Sequence, residues 1–111
     1  MTFKGLRLEY VLEGSSNFIA WKDRMEAVLD DNRLLEYIKR DVAKSAESDA
    51  QNLAQWKKDV AKAKRIILEG VRDHIVTNIH GKETPYAMWQ ALTDLFQNSS
   101  DHGKLALKYK L

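Results

Sequence analysis

The sequence predicts an all-α fold, a compact array of five or six helices behind an extended N-terminal segment. Three observations carry that expectation. Past residue 14, apolar residues recur at steps of three and four, and no stretch alternates regularly enough for a strand. Charged residues of both signs make up 31% of the 111 residues, against five glycines and one proline, which suits exposed helical surfaces. Turn-forming residues fall between the periodic stretches. A chain of this length fits one domain with its own core.

Taken in order, residues 1–14 read as an extended lead-in, with Phe3, Leu6, Leu8, Tyr10 and Leu12 apolar at near-even spacing and Gly14 free to turn the chain. A first helix begins near Ser16 or Asn17, either of which can cap free N–H groups, and buries Phe18, Trp21, Met25, Val28 and Leu29. Asp30-Asp31-Asn32 ends it. A short second helix, Arg33 to about Asp41, turns Leu34, Leu35 and Ile38 inward, and Lys44 to Asp49 is a loop. The third helix is capped by Ser48 or Asp49, repeats Leu53, Trp56, Val60, Ala63 and Ile67 with Ile66 beside them, and ends or bends at Gly70. A fourth carries Val71, Ile75, Val76 and Ile79 and stops at Gly81. The fifth has Thr84 at the N-cap and Pro85 at the first helical position, where a missing N–H costs nothing. Its buried face is Met88, Trp89, Leu92, Leu95 and Phe96; Gln97 to Ser100 is a loop. A sixth helix starts near Ser100 or Asp101 and is still in pattern at Leu111, as expected of a piece of a longer chain. The domain reading is therefore a lead-in over 1–14, a helical lobe over 15–99, and the start of a further helix over 100–111.

Several function classes find no support. Without cysteine there is no disulfide framework and no thiolate metal site, which suits a reducing, intracellular compartment. No run of 18 apolar residues spans a membrane, and Met1 to Leu12 lacks the apolar stretch of a secretory signal. His74 and His80 lie six apart, wrong for two ligands on one helical face, and adjacent Asp73 and His74 do not face each other on a helix. Gly14, Gly70, Gly81 and Gly103 are isolated, so no glycine-rich phosphate loop exists. Asp30-Asp31 reads as a polar helix terminus. The expectation is no enzyme and no cofactor.

Three groups remain as candidate binding surfaces. Lys58, Lys62 and Arg65 share one helix face; they read first as the solvated back of an amphipathic helix and second as a contact for RNA or an acidic partner. Trp21, Trp56 and Trp89 each lie on the apolar stripe of a separate helix, reading as a shared core in which each indole N–H finds a carbonyl, or as an aromatic groove for a peptide. Tyr10, Leu107, Tyr109 and Leu111 are apolar residues at the two chain ends that can form a contact between copies.

Several separated blocks occur in a distinctive order: Leu12-Glu13-Gly14-Ser15-Ser16-Asn17-Phe18 running into Trp21; Trp56, then Ile67-Leu68-Glu69-Gly70-Val71; Gly81-Lys82-Glu83-Thr84-Pro85-Tyr86-Ala87-Met88-Trp89; and Leu95-Phe96-Gln97-Asn98. In that order they resemble the N-terminal part of the Gag polypeptide of copia-type LTR retrotransposons, especially plant ones. The resemblance implies a helical, capsid-type N-terminal lobe that contacts copies of itself around the element's RNA. The family's zinc knuckle and enzymes lie downstream. Tyr109 stands where the family leads one to expect an acidic residue. A host gene that captured a Gag piece fits equally, in which case the domain binds a host protein or peptide.

Overall fold

The computed structural model describes residues 8–44, 46 and 48–98. The expected sixth helix, and Leu107, Tyr109 and Leu111, lie outside these residues. Within them are five α-helices: α1 Phe18–Asp31, α2 Glu36–Lys39, α3 Ala50–Glu69, α4 Asp73–Ile79 and α5 Pro85–Leu92. Helix α5 packs against α2, α3 and α4, while α1 lies on α3 and on the turn that follows α5. The all-α expectation holds.

The lead-in departs from a simple extended segment. Leu8–Tyr10 form one 3-10 turn, and among the described residues of the lead-in only Leu12 pairs as a strand would, in a parallel bridge to Val71. Leu12 N–H donates to the Gly70 carbonyl at 2.8 Å and Arg72 N–H to the Leu12 carbonyl at 3.0 Å. An extended backbone needs partners for its polar groups. The α3–α4 junction supplies them at Leu12, and a tight turn uses local ones at residues 8–10.

Asn17 precedes α1, but its side chain does not cap that helix. It faces backward: its Oδ1 accepts from Glu13 N–H at 3.0 Å and Gly14 N–H at 3.3 Å, and its Nδ2 donates to the Val11 carbonyl at 3.0 Å. The expected cap is a clasp on the lead-in instead.

The end of α1 explains why α2 is one turn rather than the longer helix expected. Leu34 N–H donates to the Leu29 carbonyl at 2.7 Å and Arg33 N–H to the Asp30 carbonyl at 2.9 Å. These two bonds form a Schellman close, with Leu34 and Leu29 both buried beside it. Its left-handed residue is Arg33, with φ 61°. A left-handed residue cannot begin a helix, so α2 starts only at Glu36.

Helix α3 is capped by Asp49, which accepts from Asn52 N–H at 3.3 Å. Gly70 follows its last turn. A Cβ there would run into the Met25 methyl group, which would have to shift, so glycine serves close approach here and not an unusual φ. Helix α5 is capped as expected, with the Thr84 hydroxyl accepting from Ala87 N–H at 3.1 Å and Pro85 opening the helix.

After Leu92 the chain widens into a π-helical turn, Thr93–Asn98. A wider turn changes which side chain returns to the core. Phe96 comes round to meet Phe18, with ring centroids 5.7 Å apart, whereas Leu95, expected on the buried face, is 40% exposed.

Candidate functional site

The three tryptophans do not form one cluster. Trp21 is fully buried, and its ring stacks on that of Trp89 at 5.3 Å between centroids. Its indole N–H donates to the Gly70 carbonyl at 2.7 Å. Trp56 stands apart, half-buried, and donates to the Val42 carbonyl at 3.2 Å. Leu53, one turn earlier, is likewise only half-buried. Trp21 and Trp89 thus pack together in the core, whereas Trp56 lies apart from it. The reason is length: the 20 residues of α3 extend about 30 Å, and the helix enters the main core only from Ala63 onward.

The first half of α3 instead meets α2. Asp59 accepts from the Tyr37 hydroxyl at 3.1 Å and from the Gln55 amide at 2.9 Å. Burial first, then the hydrogen bond and negative charge of Asp59, push the Tyr37 phenol up to about 12.

This arrangement bears on the basic group. Lys58, Lys62 and Arg65 are exposed on one face of α3, as their spacing predicts, and none of the three forms an ion pair among the described residues. Asp59, the one acid within the run, is engaged by Tyr37 and Gln55. The result is a positive stripe, free of ion pairs among the described residues, rising about 10 Å along the helix.

Of the chain-end residues expected to be exposed and apolar, Tyr10 is described. It is half-buried against the core, with the Arg24 guanidinium 4.1 Å from its ring centroid. It is therefore a covered side chain rather than an open contact.

An apolar pair that the pattern reading missed lies elsewhere. Ile19 is 59% exposed and Leu95 40%, and they are the large hydrophobic side chains left exposed among the described residues. Each is the chain neighbour of one ring of the Phe18–Phe96 pair. The Lys22 ammonium donates to the Gln97 side-chain oxygen at 3.3 Å across the same seam between α1 and the π-helical turn. Ile19 was legible in principle, because it falls one residue off the stripe set by Phe18, Trp21, Met25 and Leu29. Continuing from Ile19 by steps of four, three and four along α1 gives Asp23, Glu26 and Asp30, an acidic line on the same face. Glu26 pairs with Lys39 at 3.2 Å; Asp23 and Asp30 are exposed and have no ion-pair partner among the described residues.

His74 is exposed at the start of α4, its Nε2 3.1 Å from the Glu13 carbonyl oxygen. Among the described residues no group of three or more His, Asp or Glu side chains is placed to hold a metal ion. No helix among them is long and apolar enough to cross a membrane.

Comparison with known families adds one finding. A family model described as the gag-polypeptide of LTR copia-type matches residues 25–111, from the middle of α1 onward. No curated relative and no solved structure matches the chain.

Proposed function

The chain belongs to the copia-type Gag polypeptide family, and from that premise we propose that it is a capsid-type lobe whose work is binding to copies of itself in a retrotransposon particle. The observation that supports this reading is the placement of Ile19 and Leu95. The described surface covers its other large apolar side chains and leaves these two open beside a single seam. Contacts of this kind are individually weak and gain strength when symmetry repeats them. Leu107, Tyr109 and Leu111, in the segment after the lobe, are the other half of the proposed contact. Light scattering coupled to size exclusion, over a concentration series with and without residues 101–111, tests the reading. A concentration-dependent dimer lost on truncation is the expected result. A monomer throughout removes self-association and favours a Gag-derived module that binds a host protein or peptide.

The positive stripe on α3 favours a second reading, contact with RNA. Its signature is affinity for single-stranded RNA that falls steeply with salt. Changing Lys58, Lys62 and Arg65 to glutamate should abolish it, and a chain whose RNA binding survives those changes does not use the stripe.

A further inference from the structure

We propose that the seam between α1 and the π-helical turn is the receptor for residues 104–111 of a second copy, each copy lending its segment to the other; the proposal rests on the self-association reading. Single exposed hydrophobics on a soluble surface are ordinary. Here the two exposed ones are each the chain neighbour of one ring of the Phe18–Phe96 pair, so the two sides of one seam carry them, with nothing of comparable size exposed elsewhere among the described residues.

The chemistry of the occupant follows from what surrounds that seam. The line Ile19, Asp23, Glu26, Asp30 is apolar at one end and acidic along the rest, with Asp23 and Asp30 open and Glu26 already paired with Lys39. A complementary strip of chain needs apolar side chains interleaved with positive ones. Residues 104–111 have that composition: Leu105, Leu107, Tyr109 and Leu111 are apolar, and Lys104, Lys108 and Lys110 are basic, with no acid among the eight. The positive stripe of α3 has no such apolar content on its face, and the lead-in past Met1 carries Glu9 and Glu13.

Reach is sufficient. From Ile19 to Asp30 the line rises about 16 Å along α1. Eight residues cover about 12 Å if coiled as a helix and about 26 Å if extended. Residues 99–103 join the segment to the π-helical turn, and Gly103 leaves the chain free to change direction just before Lys104. A reciprocal exchange closes on itself with two equivalent contacts, so the assembly stops at a pair unless other faces join.

The test uses two complementary variants of the whole chain. One carries Ile19→Ser with Leu95→Ser, both at exposed positions, so the lobe should stay folded by far-ultraviolet circular dichroism. The other carries Leu107→Asp with Leu111→Asp. By sedimentation or light scattering the unaltered chain should dimerise, more weakly as salt rises. Each variant alone should dimerise at least about tenfold more weakly. An equimolar mixture should recover a heterodimer, because one intact segment then meets one intact seam. A dimer indifferent to Ile19 and Leu95, or a mixture that stays monomeric while the unaltered chain pairs, overturns the proposal and leaves self-association standing. An unaltered chain that is monomeric at every concentration overturns both.

Discussion

Trp21 and Trp56 occupy equivalent places in the sequence pattern and opposite places in the molecule. Both sit on the apolar stripe of a helix, and both donate an indole N–H to a main-chain carbonyl. Trp21 does so where four segments converge: its own helix, Gly70 at the end of α3, the Leu12 bridge, and Trp89 on α5. Trp56 does so against a single loop, at the end of α3 that projects past the main core. An apolar stripe thus identifies the face a helix turns inward. How deeply each position is buried depends on what lies opposite, which the stripe does not record.

The sharpest way to break this comparison is to truncate both rings. Trp21→Ala should cost about 3 to 5 kcal/mol, the range for a fully buried large aromatic, and Trp56→Ala less than half of that. Urea unfolding of the two variants measures the difference, and equal losses would mean that Trp56 is as much part of the core as Trp21. Gly70→Ala comes next. The added methyl meets the end of the Met25 side chain, which must shift to make room, so the loss should fall at the low end of the about 1 to 3 kcal/mol typical of overpacking. Combined with Met25→Ala, it should give a total loss smaller than the sum of the two single losses, as the contact predicts.

At the other end of α3, Tyr37→Phe removes the hydrogen bond to Asp59 and should cost about 1 kcal/mol at neutral pH. It should also change the alkaline limb of stability. In the folded chain the Tyr37 phenol is raised from 10.0 to about 12, so its neutral form is held more tightly than in the unfolded chain. Its contribution is complete below pH 10 and is lost as pH rises from 10 toward 12. The phenylalanine variant should therefore fall less steeply across that window when unfolding is followed by circular dichroism.

The smallest effect has the opposite sign. Arg33 holds a left-handed conformation that glycine adopts freely, and it is exposed. Arg33→Gly should stabilise the chain by about 0.5 to 1 kcal/mol, read as a higher urea midpoint with unchanged slope. A loss instead would show that the arginine side chain contributes more than its backbone costs.

What was legible in the sequence follows from the range of the forces involved. The start of helix α5 could be placed to the residue because Thr84 and Pro85 act within one turn of themselves. Asp49 marked the start of α3 for the same reason. Asn17 misled because a side chain able to cap forward can also bind backward, and only the path of residues 11–14 decides between them. Leu95 misled because a helical wheel assumes a constant turn, and the chain widens after Leu92. Of the candidate surfaces, the α3 lysines were readable from spacing alone. Ile19 needed the position of Phe96, 77 positions further along the chain, before it became part of a surface.

One atom described above has a temporal consequence. The Gly70 carbonyl oxygen accepts from both the Leu12 amide and the Trp21 indole, groups that are remote from it in sequence. Both bonds join segments remote in sequence, so the Leu12 amide is expected to be locked late in folding and released with the opening of the lobe. Its hydrogen should therefore exchange with solvent at the rate of global unfolding, although it lies near the N-terminal end of the sequence, where amides ordinarily exchange by fraying. A single amide near the N-terminus thus serves as a clock for the entire lobe.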